Sequence, residues 1–296
     1  SPVLGKRANG FNFCNGDRKQ FMKIAVLMAT YNGEQYVEDQ LKSLLTQVQP
    51  VAQIWVRDDG SRESTRAIVT AMAKIDSRIV LLPDHQNLGV TKNFLTLLET
   101  AGDGFDLYAF CDQDDVWLES KMEHAVGALS GKNAKVPQLF FARLAITDAN
   151  LQVLGHSPVP AKINFWNAIS QNVVTGCTAV INREARRIIL QTPFGHPDVW
   201  SHDWWLYVVI AYFGNVIYDP SVSILYRQHG QNVLGSPPSP ISRVWQRIRT
   251  ASLRKLEKQR PSRLVKAFAE IYGENLMAGD LSFLQIWGLS LMTLFL

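Results

Sequence analysis

The chain is 296 residues long, with 47% hydrophobic and 19% charged residues and a formal net charge of +4 at pH 7. These values are ordinary for a folded globular protein with a full hydrophobic core, and they exclude a disordered chain. So small a net charge gives no sign of a nucleic-acid partner, and we expect none.

The cysteines and the N-terminal residues bear on the cellular compartment. Cys14, Cys111 and Cys177 are odd in number, far apart and without a CxxC pair. This spacing argues against a disulfide framework or a zinc site and fits a reducing compartment. Residues 1–22 lack the apolar run of a secretory signal, and we expect them to be irregular. We therefore predict a cytoplasmic location, with the inner face of the plasma membrane as an alternative.

From Lys23 onward, strand and helix patterns alternate, and each strand is followed by a polar turn. The crossovers are long enough to join parallel strands, so the pattern predicts a mostly parallel α/β sheet with helices on both faces. We assign residues 23–115 to a nucleotide-binding half. The predicted strands are 24–29, 53–57, 79–82 and 107–111, and the predicted helices are 37–45, 63–73, 92–99 and 117–129.

The fourth strand ends abruptly in three acids, Asp112, Asp114 and Asp115. Ligands of open α/β sheets bind at the carboxyl ends of the strands, so these side chains should lie where a ligand binds. Carboxylate oxygens suit Mg²⁺ or Mn²⁺, which usually keep positions for water and phosphate. The alternative is that the acids cap the following helix, and Asp115 is the one best suited to that role.

Residues 116–235 have a mixed pattern, as expected for a half that binds an acceptor. A strand is predicted at 139–147, an apolar run at 173–182, helices at 183–190 and 202–213, and short strands at 216–218 and 222–226. The two halves together make one domain, residues 23–235, which ends in the proline-rich linker at 235–240.

The last region, residues 236–296, is basic and then apolar. Nine basic residues between Ile241 and Phe268 stand against one acid, Glu257, and predict an amphipathic helix before Pro261. Such a helix could contact an anionic membrane surface or pack on the domain, and both readings stay open. Residues 281–296 carry no charge but are shorter than the roughly 20 residues of a bilayer span.

Six motifs, taken in order, resemble those of a known family. They are ATYNG at 29–33, DDGS at 58–61, NLG with a following KN at 87–93, CDQDD at 111–115, HDWW at 202–205 and YRQHGQN at 226–232. In this order they are similar to the family 2 glycosyltransferases of the GT-A fold, inverting enzymes that use nucleoside-diphosphate sugars. CDQDDVW, HDWW and YRQHGQN most resemble bacterial rhamnosyltransferases of cell-surface polysaccharide synthesis.

The resemblance implies a role for each motif. Asp114 would ligate Mg²⁺ or Mn²⁺, Asp112 would share the ion or contact the ribose, and His229 would be a further ligand. Asp203 would be the general base, with capping of its helix as the alternative. The remaining substrate-binding candidates are Thr30 and Tyr31 at the nucleoside, Asp58 or Asp59 at the base imide N–H, Lys92 and Arg227 at the diphosphate, and Trp204 at a sugar face. Packing is the alternative for Tyr31 and Trp204, solvent exposure for Lys92, and an Asx turn for the paired aspartates.

The predicted reaction is transfer of a sugar, L-rhamnose from dTDP-L-rhamnose, to a hydroxyl of a glycan or lipid-linked acceptor. A family 2 enzyme that uses a UDP-hexose is the first alternative. A sugar nucleotidyltransferase would need a Gly-rich phosphate loop with a basic residue at the first turn, which residues 30–33 lack. A non-catalytic glycan-binding module is the remaining alternative.

Overall fold

A computed structural model describes residues 22–228 and 251–280, together with Ser282 and Leu284. For residues 251–260, and at Glu63, the description is limited to the backbone. His229, the predicted linker at 235–240 and the first part of the predicted amphipathic helix lie outside the described residues.

The described strands form one sheet. They are β1 Ile24–Thr30, β2 Gln53–Asp58, β3 Ile79–Leu81, β4 Leu107–Cys111, β5 Val116–Trp117, β6 Gln138–Thr147, β7 Val153–His156, β8 Val180–Asn182 and β9 Asn215–Arg227. Their order is β3-β2-β1-β4-β8-β6-β9-β5, with β7 beside β6. Strands β1 to β4 pair in parallel, as predicted, whereas β8 is antiparallel to both of its neighbours.

Helices cover both faces of this sheet. They are α1 Val37–Leu45, α2 Glu63–Ile75, α3 Val90–Thr100, α4 Lys121–Leu129, α5 Phe165–Ala168, α6 Arg183–Ile189, α7 His202–Phe213 and α8 Ala251–Tyr272. One core lies under α1, α2 and α4, and a second lies under α3, α5, α6, α7 and α8. With a core on each side, β1 and β4 are buried on both faces, which explains their unbroken apolar sequences.

The acidic turn forces the sheet to curl. Residues 112–115 join β4 directly to β5, yet three strands lie between these two in the sheet order. At about 4.8 Å per strand, a flat sheet would separate β4 from β5 by about 19 Å. The five Cα–Cα steps from Cys111 to Val116 span at most about 18 Å. The curl brings the end of β9 over the acidic turn.

Two element predictions were wrong in their bounds. The two short strands predicted at 216–218 and 222–226 are one strand, β9, because Pro220 and Ser221 fall in a register shift between the pairs Ala142–Asp219 and Arg143–Val222. Inside a bulge, the missing N–H of a proline costs no ladder hydrogen bond. The helix predicted at 117–129 begins only at Lys121, because Trp117 belongs to β5 and pairs with β9.

The C-terminal helix packs on the domain instead of ending before Pro261. Helix α8 runs through this proline, and Leu264, Val265, Phe268 and Tyr272 are buried in the core beside α7. This packing offsets the hydrogen bond that a proline removes from a helix. For this part of the chain, the structure supports the packed reading. Among the described helices, none is both long enough and apolar enough to span a bilayer.

Candidate active site

The turns after β1, β2 and β4 meet at one edge of the sheet, since these strands are parallel neighbours. The backbone N–H groups of the first turn donate to side chains of the other two. Tyr31 donates to Gln113 Oε1 at 2.8 Å, Asn32 to Ser61 Oγ at 2.7 Å and Gly33 to Thr65 Oγ1 at 3.0 Å. The three polar turns that the sequence singled out are therefore parts of one site.

The candidates for the nucleoside already have protein partners. Asp58 accepts a hydrogen bond from the Thr30 hydroxyl at 2.9 Å and from the amides of Ser61 at 2.8 Å and Gly60 at 3.2 Å, and the Gly60 bond makes the Asx turn expected as the alternative. Asp59 accepts from the amides of Leu88 at 2.7 Å and Gly89 at 2.9 Å, so it holds the NLG turn against β2. Recognition of a base by either carboxylate stays a prediction.

The acids after β4 occupy different environments. Asp112 is half-buried, and its pKa is raised to about 7 by burial and then by repulsion from Asp114 and Asp203. Asp115 is fully buried, and burial together with Asp112 and Asp114 raises its pKa well above the usual range. It does not cap a helix, because α4 begins only at Lys121 and the Asp115 carboxylate accepts the Arg227 amide at 3.2 Å.

Three described side chains at the acidic turn form a compact group of possible metal ligands. Ligand atoms of Asp112, Asp115 and Cys177 all lie within 4.8 Å of one another. The two carboxylates suit Mg²⁺ or Mn²⁺, but a thiol is a soft ligand that these ions disfavour. This cluster contains Asp112 but has Asp115 where Asp114 was predicted, so the assignment of Asp112 and Asp114 as the metal ligands stays a prediction. His229, the third predicted ligand, is not among the described residues.

Arg227 braces the acidic turn from the end of β9. Its Nε donates to the carbonyl of Asp114 at 3.0 Å and its Nη1 to the carbonyl of Ala149 at 2.8 Å. The guanidinium also lies 4.4 Å from the ring centre of Tyr36. These contacts position Asp114. A contact of Arg227 with the diphosphate stays a prediction.

Asp203 reaches the same site from the first turn of α7. Its Oδ1 accepts from the Ser201 hydroxyl and from the Trp204 amide, the latter at 2.7 Å. Ser201 is the N-cap residue of α7 and Asp203 is the second helical residue, so the alternative of Asp203 as the N-cap is wrong, although its carboxylate satisfies the free N–H of Trp204 in the first turn. It also lies close enough to Asp112 to raise the pKa of that carboxyl. Both roles are compatible, because a carboxylate has two oxygens.

Three other predicted residues lie at the margins of this site. The Trp204 side chain is buried and its Nε1 donates to the carbonyl of Ala168 at 2.6 Å, so the structure supports packing instead of a sugar contact. Lys92 is exposed on the first turn of α3, where its side chain runs towards Gly195. The Tyr31 ring is half exposed beside the acidic turn, where a base could stack on it.

Three buried polar residues near the site were missed at the sequence level. His202 lies 4.2 Å from the Phe94 ring and 5.7 Å from the Phe110 ring, and burial lowers its pKa. Gly176 leaves room for it, because a Cβ there would lie 2.6 Å from His202 Nε2. The others are Lys121 and Cys177, both fully buried. A single polar residue in an apolar helix or run gives no periodic signal that would mark it.

A parallel nucleotide-type sheet, an acidic turn at its edge and an aspartate facing that turn define a nucleotide-dependent transferase. The model of the family described as "Glycosyl transferase family 2" matches residues 25–190, and the chain belongs to this family. The prediction made from the six motifs is therefore confirmed at the level of the family and of the enzyme class.

Two curated relatives match over about two thirds to three quarters of both chains. The chain is 30% identical to the dTDP-rhamnosyl transferase RfbG of Shigella flexneri over 71% of this chain and 74% of that protein. It is 29% identical to the UDP-Glc:alpha-D-GlcNAc-diphosphoundecaprenol beta-1,3-glucosyltransferase WfgD of Escherichia coli, over 65% of this chain and 71% of that one.

Solved structures share the fold. TarS of S. aureus in complex with UDP-GlcNAc matches with a TM-score of 0.56 at 15% identity, over 88% of this chain and 77% of that chain. The mannosyltransferase PcManGT of Pyrobaculum calidifontis, in complex with GDP-Man and Mn²⁺, matches with a TM-score of 0.54 at 18% identity, over 85% and 64%. These likenesses confirm the predicted GT-A fold.

Proposed function

We propose that this glycosyltransferase moves L-rhamnose from dTDP-L-rhamnose, with inversion, to a hydroxyl of a glycan or lipid-linked acceptor. The relationship to the dTDP-rhamnosyl transferase of Shigella flexneri supports the donor. The family supports the reaction class, whereas the choice of sugar depends on the few side chains that contact its hydroxyls.

One observation supports the reaction: the first turn of α7 lies beside the end of β4, where the His202 ring is 5.7 Å from the Phe110 ring and the Asp203 charge contributes to the raised pKa of Asp112. In an inverting transfer the acceptor oxygen bonds to the anomeric carbon as the diphosphate leaves from the opposite face. The acceptor hydroxyl must lose its proton in this step, and we assign Asp203 as the general base that takes it. The Ser201 hydroxyl and the Trp204 amide hold its Oδ1 and so fix its orientation.

The acids that follow β4 would hold the metal ion that stabilises the leaving group. Asp112 and Asp114 would bind Mg²⁺ or Mn²⁺, and the bound ion would offset the negative charge that develops on the diphosphate. Arg227 keeps the Asp114 backbone in place for this role through the carbonyl contact at 3.0 Å. Lys92, in the first turn of α3, would add positive charge at the diphosphate, together with the N–H groups of that turn.

A donor panel tests the proposal. The protein is incubated with Mn²⁺ and dTDP-rhamnose, UDP-glucose, UDP-GlcNAc or GDP-mannose, and slow release of the nucleoside diphosphate is followed. We expect dTDP from dTDP-rhamnose and little product from the other donors. UDP from a UDP-hexose would favour the alternative supported by the Escherichia coli glucosyltransferase. A nucleotidyltransferase would instead make pyrophosphate from a nucleoside triphosphate, and a binding module would turn over none of these.

A further inference from the structure

Gln113 lies between the two predicted metal ligands, and its side chain holds the turn that carries Tyr31. We propose that Gln113 is a positioning residue that joins the nucleoside pocket to the metal-binding acids, so that both parts of the donor site form one rigid unit. This inference rests on the proposed function, because it assigns Gln113 to the binding of the same nucleotide donor.

The contact is a pair of hydrogen bonds to one residue. Gln113 Oε1 accepts from the Tyr31 N–H at 2.8 Å, and Gln113 Nε2 donates to the Tyr31 carbonyl at 2.8 Å. Both are at the ideal length for neutral amides. An Ala, Leu or Met side chain could make neither bond, and a carboxylate could make only one of them.

The pairing of β1 with β4 explains why a side chain makes these two hydrogen bonds to Tyr31. The last β1–β4 pair is Met28 with Cys111, so a continued ladder would place Thr30 opposite Gln113. The β4 backbone instead turns away after Cys111 and forms the acidic turn. The Gln113 carboxamide supplies the donor and the acceptor that another residue of β4 would have offered to Tyr31. The ladder is extended while the backbone stays free to place Asp112 and Asp114.

The first turn is held from its other side by the segment after β2. Asn32 donates to Ser61 Oγ at 2.7 Å, and it has a left-handed backbone with φ of 49°. Gly33 donates to Thr65 Oγ1 at 3.0 Å. Those contacts hold the first turn to Ser61, in the turn after β2, and to Thr65 on α2. The Gln113 contact holds the first turn to the acidic turn. Without Gln113, the Tyr31 backbone loses its bonds to the acidic turn.

Gly33 offers independent evidence for the same contact. A Cβ at this position would overlap the Gln113 carboxamide, whose atoms are its three nearest neighbours. The φ of Gly33 is not positive, so the backbone itself does not demand glycine. Gly33 is therefore needed for space, and Gly33→Ala should displace the Gln113 carboxamide.

The experiment is a double-mutant cycle on donor binding. Gln113→Ala, Gly33→Ala and the double variant are compared with the unchanged protein, with dTDP-rhamnose as donor at saturating Mn²⁺, and dTDP affinity is measured by calorimetry. Losing two neutral hydrogen bonds should raise the donor KM and the dTDP Kd about tenfold, with kcat within about twofold. Gln113→Glu should match or exceed this loss, because a carboxylate oxygen would face the Tyr31 carbonyl.

The double variant separates this role from general destabilisation. Removing the carboxamide makes room for the new Cβ, so the double variant should bind donor no worse than Gln113→Ala alone. Gln152→Ala, at an exposed glutamine before β7, is the matched control and should leave KM unchanged. Thermal unfolding of every variant checks the fold.

Two results would overturn the inference while the unchanged protein binds the donor normally. One is an unaltered KM and Kd in Gln113→Ala, and the other is additive losses in the double variant. A failure of the proposed function looks different, because the unchanged protein would then bind and turn over no nucleotide sugar on the panel.

Discussion

At the scale of single residues, Asp203 is oriented before any substrate binds. The Ser201 hydroxyl and the Trp204 amide both donate to Oδ1, so neither bond involves Oδ2. A base held in this way needs little reorganisation as the acceptor hydroxyl gives up its proton, and general base catalysis typically contributes about 10²–10⁴-fold in rate.

Asp203→Asn should therefore lower the transfer rate by about 10²–10⁴-fold while donor affinity is kept. The amide oxygen can still accept the two hydrogen bonds at this position, but it cannot take a proton at neutral pH. Transfer rates and calorimetry with dTDP measure the two effects separately. Asp103→Asn, at an exposed aspartate, is the control. If donor binding is lost together with the rate, Asp203 is structural.

Lys121 gives a prediction about stability and pH. It is fully buried with its Nζ 3.2 Å from the centre of the Trp117 ring, and burial lowers its pKa from 10.5 to about 7. Between pH 7 and pH 10.5 the unfolded chain binds more protons at Lys121 than the native protein does. The contribution of Lys121 therefore makes the native state more stable as pH rises through this range. Below pH 7 the full cost of burying the ammonium is present.

Lys121→Met should raise the free energy of unfolding at pH 7 by about 1–3 kcal/mol, because an apolar side chain of similar volume replaces a buried charge. The gain should shrink as pH approaches 10. Urea unfolding at pH 7 and pH 9.5 measures both, with the exposed Lys74→Met as control. A loss of stability at pH 7 would mean that the Trp117 ring and the nearby Asp115 more than offset the desolvation.

At the scale of elements, α8 is part of the core that supports α7. The Phe268 side chain is fully buried, and its ring lies 5.5 Å from Tyr212 and 6.4 Å from Trp205 on α7. Arg263 also bonds the buried Asp198 at 2.6 Å, in the segment that leads to α7. Helix α7 carries Asp203, so the C-terminal helix helps to place the proposed base.

Phe268→Ala should cost about 3–5 kcal/mol, the usual range for removing a buried aromatic ring. Met277→Ala, at a side chain that is 71% exposed, should change stability by less than about 0.5 kcal/mol. Chemical unfolding of the two variants makes the comparison. Equal stability in both would contradict the packing of α8 on α7.

The elements also show where sequence patterns stop being informative. The helix predicted at 202–213 matches α7, because an apolar run of twelve residues is longer than most strands and fits a buried helix. Strands β5 and β7 were not predicted, because strands of two and four residues are stable only when they pair with a neighbouring strand in the folded protein. Helix α8 crosses Pro261 because its downstream apolar residues find a core in the tertiary structure.

At the scale of the whole molecule, the curl of the sheet gathers acids from distant parts of the chain. Asp112 and Asp114 follow β4 and Asp203 is the second residue of α7, while the basic Arg227, which contacts the acidic turn, ends β9. Carboxylates brought together in this way repel one another, which a divalent cation would relieve. Because the bound ion would also offset the negative charge of the diphosphate, we expect metal and donor to bind cooperatively.

Chelation tests that cooperation. With EDTA present, the dTDP affinity of the unchanged protein should fall by about 5–150-fold, because the coupling between two bound ligands typically amounts to about 1–3 kcal/mol. Added Mn²⁺ should restore it. Asp114→Ala should bind dTDP weakly with or without EDTA. Calorimetry in both conditions gives the result, and an unchanged affinity of the native protein under EDTA would remove the metal from the proposal.

The sequence by itself determined the parallel half of the sheet, the family and the positions of Asp112, Asp114 and Asp203. Each of these rests on local order along the chain: an apolar run that ends in acids, or motifs at set places. Only the tertiary structure decided that Gln113 bonds Tyr31, that Arg227 braces Asp114 and that Lys121 is buried. These facts depend on contacts between residues far apart in the chain, and the one-dimensional pattern of polar and apolar residues carries no record of which side chains will meet.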